Sequence, residues 1–362
     1  MHKPNYSLII TVFALVIFGL VMIGSASSVL SYERFGNNAY YLRHQFFLGA
    51  LLGFIAWLIF AKIDYHRWQK WAFLALIISL ILLVLVFIPG IGLGFKGARR
   101  WIGAGPFSFQ PTELLKLTFV IYLATWLSGK REQVSHFQYG FLSFLTILGV
   151  VSFLIVLQPD IGTLSIILLS SVIVFYLAGA RFHHLAMIGG ILVLTFWLLI
   201  VIAPYRMDRF AVFRNPETDP QGIGYHLNQA LIAEGSGGLW GLGFGQSRQK
   251  YSYLPEVVGD SIFAVICEEL GFLRVSFLVF LFSFLAYQGF KIARASPDSF
   301  GRLLAGGITS WLCFQAFINI LALSGLIPLT GVPLPLISYG GSAMVISLIA
   351  VGILTNISKQ TV

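Results

Sequence analysis

Carboxylates and cations set beside apolar runs are the residues of this chain whose types and spacing could do chemistry. Asp260 ends a long polar stretch and opens an apolar run, with Ala264, Cys267, Glu268 and Gly271 following on its face at helical spacing. A carboxylate at the outer mouth of such a helix can accept a proton from a hydroxyl, or it can cap the helix by accepting its first N–H groups. Glu268 and Glu269 lie two turns deeper, with Arg274 below them, an arrangement that fits internal pairing, cation binding or a proton relay. Glu113 and Lys116, three apart, share another face, and Pro111 in the first turn places Glu113 where the helix dipole favours an anion. Such a pair locks two helices together, contacts a substrate, or does both. Asp160, in Gln158-Pro159-Asp160-Ile161-Gly162, reads first as the N-cap of the following helix.

Two further stretches carry cations where the positive-inside bias does not place them. One holds Arg99 and Arg100 in Gly97-Ala98-Arg99-Arg100-Trp101; the other, the polar stretch 204–259, holds Arg206, Arg209 and Lys250. An anionic lipid head group or a pyrophosphate would use them. The segment from Pro328 to Pro335, running on into Leu336-Ile337-Ser338-Tyr339-Gly340-Gly341, is rich in proline and glycine beside an apolar run. It is either a simple helix connection or irregular backbone lining a cavity, with N–H groups near Ser338 able to hold a phosphate.

The elements that must position these residues are membrane helices. Of 362 residues, 57% are hydrophobic and 10% charged, far below the roughly 25% charged residues of a soluble domain. Apolar runs long enough to cross a bilayer lie at about 7–30, 44–61, 68–88, 112–128, 138–157, 161–178, 184–203, 260–287, 303–325 and 335–357. The expected fold is thus an all-α integral membrane protein of about ten transmembrane helices, one polytopic domain over 1–362, with a long outer loop between helices 7 and 8. The first run follows Lys3 and precedes small residues, but its apolar length and the spans after it make it an uncleaved helix. With both termini inside, the short inner segments hold about twice as many Lys and Arg as the short outer loops. The net charge of +9 therefore follows topology, and no nucleic-acid partner is expected. Cys267 and Cys313 read as small buried hydrophobes.

Several of these stretches together resemble a known family. Gly97 to Trp101 with Phe109-Gln110-Pro111-Thr112-Glu113, Gln158 to Thr163, Pro216-Glu217-Thr218-Asp219-Pro220 and Leu336 to Ser342 look like the shape, elongation, division and sporulation (SEDS) family, in the same order and over nearly the whole chain. The doubled arginine and the stretch Arg248 to Glu256 look more like its division branch than its elongation branch. The resemblance implies a ten-helix peptidoglycan glycosyltransferase of the bacterial cytoplasmic membrane, at the division septum, that polymerises lipid II. It also implies a class B penicillin-binding protein and other division proteins as partners. The family's essential carboxylate falls on Asp260, its charged pair on Glu113 and Lys116, and its Gln-Pro-Asp acid on Asp160. One departure stands out: the family usually has His-Thr before that acid, where this chain has Val258-Gly259.

The implied reaction suits the residues. Displacing a diphosphate from an α-linked sugar to form a β linkage inverts the centre, and needs a base for the acceptor hydroxyl. The leaving diphosphate needs positive charge rather than a proton. Asp260 supplies the base, and Arg99, Arg100, Lys116, Arg206, Arg209 and Lys250 are candidate diphosphate holders, with Glu113, Asp160, Glu268 and Ser338 as further substrate contacts. No ligand spacing demands a cofactor; a divalent cation near Asp260 or Glu268 could share the diphosphate. The rival readings are a flippase for lipid-linked precursors, which broken helices and buried charges also suit, and a non-enzymatic division scaffold.

Overall fold

Apolar runs bounded by short polar turns fold into helices because each must satisfy its backbone within itself. A computed structural model describes residues 3–95, 98–104, 107–130, 133–202, 204–215 and 221–361. Helix α1 (Tyr6–Ala26) starts at Asn5, whose side chain accepts from Leu8 N, and is followed by the short α2 (Ser28–Phe35). Next come α3 (Tyr40–His44), a π-helical stretch Gln45–Leu51 and α4 (Leu52–Phe60), which together form one span, Tyr40–Phe60, then α5 (His66–Leu85). A three-stranded antiparallel sheet, β1 (Gly92–Phe95), β2 (Ala98–Ala104) and β3 (Phe107–Phe109), leads into α6 (Pro111–Ser128). A π-helical stretch Phe137–Leu142 runs into α7 (Ser143–Leu157), and then come α8 (Ile161–Leu177), α9 (Phe182–Ile202), α10 (Pro204–Arg214) and α11 (Tyr225–Gly237). The chain closes with α12 (Ile262–Ala295), α13 (Ser299–Leu323) and α14 (Gly341–Ser358).

Among the described residues, 8 helical segments are long and apolar enough to cross a membrane. Helices α6 and α8 complete the ten expected from the sequence: α6 carries a charged pair, and α8 has 17 residues, still about 26 Å of helix. Burial ranks them. In α13, 83% of the apolar window is covered by protein, whereas α9 has 6% covered and presents the rest to lipid. The bundle is therefore built around α13, which packs on α6, α8, α12 and α14.

The sequence boundaries need two corrections. The stretch 204–259, read as one polar loop, contains α10 and α11 and a turn that packs into the bundle. The span expected at 260–287 is a longer helix, 262–295, broken at Gly271, which has φ 73° and ψ 174°. The break frees backbone groups that lipid could not satisfy, and the turn Gly238–Gly243 takes them. Leu242 N and Gly243 N donate to the carbonyls of Glu268 and Glu269 at 2.9 and 3.0 Å; Phe272 N and Leu273 N donate to Gly238 and Leu239 at 2.9 and 3.2 Å. A Cβ at Gly271 would collide with Gly241 N, so only glycine admits this turn. The first part of α12, Ile262 to Glu269, is wholly buried, and the part beyond the break exposes Phe272, Leu273, Phe277 and Phe280.

Candidate functional site

The centre of the site is the irregular segment 328–340 between α13 and α14, and polar side chains of α13 hold it. Gln315 and Asn319, one turn apart and buried, face it. Gln315 Nε2 donates to Pro333 O at 3.0 Å, while Asn319 Nδ2 donates to Val332 O and to Asp260 O, each at 2.7 Å. From the other side Gln45 Nε2 donates to Ser338 O at 3.3 Å and Gln45 Oε1 accepts from Gly340 N at 3.0 Å. Tyr339 N donates to Val258 O at 2.8 Å, and the Tyr339 hydroxyl lies 3.0 Å from His44 Nδ1. Burial, then the neighbouring Tyr41 and Tyr40, push the Tyr339 hydroxyl up, so it stays protonated at neutral pH. Ser338, expected to hold a phosphate, is 6% exposed and its hydroxyl accepts from Leu334 N at 2.8 Å: it braces the segment.

Asp260 sits at the edge of this segment, half-buried. Glu256 O accepts from Gly259 N at 2.9 Å and from Ser261 N at 3.3 Å, a tight turn that delivers Asp260 just before the helix. The residue at the N-cap of α12 is Ser261, and Asp260 stands just before it. Its Oδ2 faces Gly331, where an added Cβ would come within 3.4 Å. Arg209, exposed on α10, donates from Nη1 to Leu329 O at 3.1 Å and so borders the same segment. The side chain of Arg206, Gly97 and the Pro216 to Pro220 motif lie outside the described residues.

Beneath the segment, Glu113 and Lys116 form a buried pair, Nζ to Oε1 at 2.8 Å, 1% and 2% exposed for Lys116 and Glu113. Lys116 Nζ also donates to Gln315 Oε1 at 2.6 Å and lies 5.2 Å from the centre of the Trp311 ring. The pair thus locks α6 to α13, and through Gln315 to Pro333. Glu113 Oε2 is buried with no hydrogen-bond partner among the described residues.

On the adjoining side, Asp160 caps α8: Oδ1 accepts from Thr163 N at 3.2 Å and Oδ2 from Thr163 Oγ1 at 2.9 Å. A Cβ on Gly162, the second residue of α8, would strike Val332 and Thr330 O, so α8 abuts the segment directly. Arg100 on β2 donates from Nε to Gln158 O at 3.2 Å and from Nη2 to Pro159 O, with Nη1 3.8 Å from Asp160 Oδ1. Its neighbour Arg99 is exposed, because alternate residues of a strand point to opposite faces.

Lys250 and Glu268, expected as substrate contacts, are both buried with partners inside the protein. Lys250 is 4% exposed and its Nζ is held by Glu269 Oε1 at 3.1 Å, Ser25 Oγ at 3.2 Å and Gly245 O at 2.6 Å. Glu268 accepts from Arg248 N at 2.9 Å, Gln249 N at 3.3 Å and the Ser247 hydroxyl. Burial demands such partners. Arg274 turns to the carbonyls of Trp240 and Leu270 rather than to the glutamates. A cavity of about 470 Å³ opens beside this cluster, walled by Leu20, Gly24, Leu42 and Phe244 with Ser25 and Lys250 at its polar end; Asp260 does not line it. Among the described residues no group of three or more His, Cys, Asp or Glu is placed to hold a metal ion.

Sequence reasoning missed Gln45, Gln315 and Asn319. The signal was available, since amides inside apolar spans are costly unless they bond to something.

A cell cycle protein family, that of FtsW, RodA and SpoVE, matches residues 6–362. Stage V sporulation protein E of Bacillus subtilis (strain 168) is 42% identical over 359 residues, covering 99% of this chain and 98% of its own. The probable peptidoglycan glycosyltransferase FtsW of Trichlorobacter lovleyi is 41% identical over 351 residues, covering 97% and 92%. A solved peptidoglycan synthase complex, described as coordinating polymerization and crosslinking, contains a chain similar with TM-score 0.82 and 27% identity, covering 99% and 98%. The rod shape determining protein RodA of Thermus thermophilus is similar with TM-score 0.71 and 28% identity, covering 99% and 97%.

Proposed function

The chain belongs to the cell cycle protein family of FtsW, RodA and SpoVE, and from that premise we propose that it is a peptidoglycan glycosyltransferase polymerising lipid II with Asp260 as its base. One observation carries the assignment of the base. Asp260 stands half-buried at the 328–340 segment with its Oδ2 facing Gly331, whereas Glu113, Asp160, Glu268 and Glu269 are buried.

In this reading the carboxylate of Asp260 takes the proton from the acceptor sugar hydroxyl as that oxygen attacks the donor sugar. The C–O bond to the diphosphate breaks on the opposite face, and the undecaprenyl diphosphate leaves with the electron pair. Arg209 and Arg99, exposed near Asp260 and near the Arg100–Asp160 contact respectively, are cations placed to meet the diphosphate, with Arg206 one turn from Arg209 in sequence. Arg100, Glu113, Lys116 and Asp160 act as the frame that keeps α6, α8 and α13 against the segment.

A class B penicillin-binding protein is the proposed partner, in keeping with the similar chain in a complex that joins polymerization to crosslinking. The proposed setting is the bacterial septum, with both termini cytoplasmic. The test is a gel of glycan chains made from labelled lipid II by the chain with that partner, beside the Asp260→Ala variant. Polymer from the wild type and none from a folded, partner-bound variant is expected. Polymer from both removes Asp260 as base, and polymer from neither turns the reading to a flippase.

A further inference from the structure

Ser261 occupies the N-cap of α12, a position where a serine hydroxyl ordinarily accepts from an N–H of the first turn. Here it makes no such bond: Ala264 N goes to the backbone carbonyl of Ser261 at 3.1 Å. The hydroxyl, on a residue with 0% exposure, instead lies 2.7 Å from Nε2 of His226. His226 stands in the first turn of α11, and the far end of that helix is fixed independently, because Gly237 is in direct backbone contact with Cys267 and Glu268. The cap residue has thus given up its local role for a bond to a helix 35 positions away, immediately beside Asp260.

We propose that His226, acting through Ser261, is a positioning residue that sets the geometry of Asp260; this rests on the reading of Asp260 as base. The backbone around the carboxylate is held at three places: Val258 O by Tyr339 N, Asp260 O by Asn319, and Ser261 by His226. The first two bonds fix the approach of the chain to Asp260. The third fixes the start of α12, and with it the direction in which the Asp260 side chain leaves. An imidazole suits this task because it can donate to, or accept from, the hydroxyl through one ring nitrogen while staying rigid.

The test measures kcat and KM for lipid II polymerisation by the full chain with its penicillin-binding partner. His226→Ala and Ser261→Ala are each expected to lower kcat roughly tenfold or more, as small misplacements of a reacting group do, with KM within about twofold. The double variant should fall no further than either single one, since both remove the same bond. His226→Gln, which keeps a polar group within reach of the hydroxyl, should recover most of the loss; it and Ser261→Ala carry the test if His226→Ala does not fold. Unchanged kcat in folded His226→Ala, or a loss that Ser261→Ala does not share, overturns the proposal. Asp260→Ala is run alongside: polymer from that variant rejects the base reading itself, whatever His226 does.

Discussion

The amide nitrogen of Asn319 donates to the carbonyl of Asp260 and to that of Val332, both at 2.7 Å, so one side chain of the central helix ties the candidate base to the irregular segment it faces. Asn319→Leu removes both donors at once and leaves two carbonyls without them. A loss of about 1–3 kcal/mol in stability is expected, together with a fall in kcat. Thermal unfolding in detergent and the polymerisation assay read the two effects separately.

The Glu113–Lys116 pair is fully buried, and its energetics predict an asymmetry. Removing one partner strands a charge, so Glu113→Leu or Lys116→Met alone should cost about 3–5 kcal/mol. Replacing both together should restore most of that loss. Chemical denaturation of the three variants checks the pattern, and equal losses in single and double variants would refute it.

Gly271 holds the break in α12 against the turn at Gly241. Gly271→Ala meets both a left-handed φ and a backbone collision, and at least about 2 kcal/mol should be lost. Gly235→Ala, at a position with open space, is the control and should change stability little. Melting temperatures compare them.

Burial of Glu234 on α11 raises its carboxyl from 4.5 to about 7, partly offset by a bond from Ser324. The native state therefore holds a proton that the unfolded chain releases, so stability falls as pH rises from about 4.5 to about 7. Glu234→Gln should flatten that dependence and be the more stable protein at pH 8. Melting curves from pH 5 to pH 8 decide it.

Arg209 is exposed, and its contact with the protein described above is a carbonyl of the segment beside Asp260. If it meets the diphosphate, Arg209→Ala should weaken transfer by roughly 10- to 100-fold in kcat/KM, the range of a lost charged hydrogen bond, while leaving stability nearly unchanged. An unaltered kcat/KM would assign Arg209 to loop support alone.

The sequence by itself determined the membrane class and the approximate position of the ten helices, because apolar length against bilayer thickness is a local property readable in any window. It also pointed to the pairings that neighbours in the chain can complete. Asp160 caps α8 through Thr163, three residues on, and Glu113 meets Lys116 one turn away. Tertiary structure decided everything that depends on a distant partner. Lys250 read as a candidate diphosphate holder, and only the fold shows α1 bringing Ser25 and the first part of α12 bringing Glu269 to it. Spacing left Asp260 open as cap or base, and only the folded turn from Glu256 shows Ser261 at the N-cap with Asp260 just before it. The break at Gly271 was equally hidden, since a glycine in an apolar run signals no kink until a second strand of backbone, Gly238–Gly243, arrives to take its freed hydrogen bonds. Charge and backbone polarity are fixed by sequence, but in a low-dielectric interior their meaning is set by which partner packs against them.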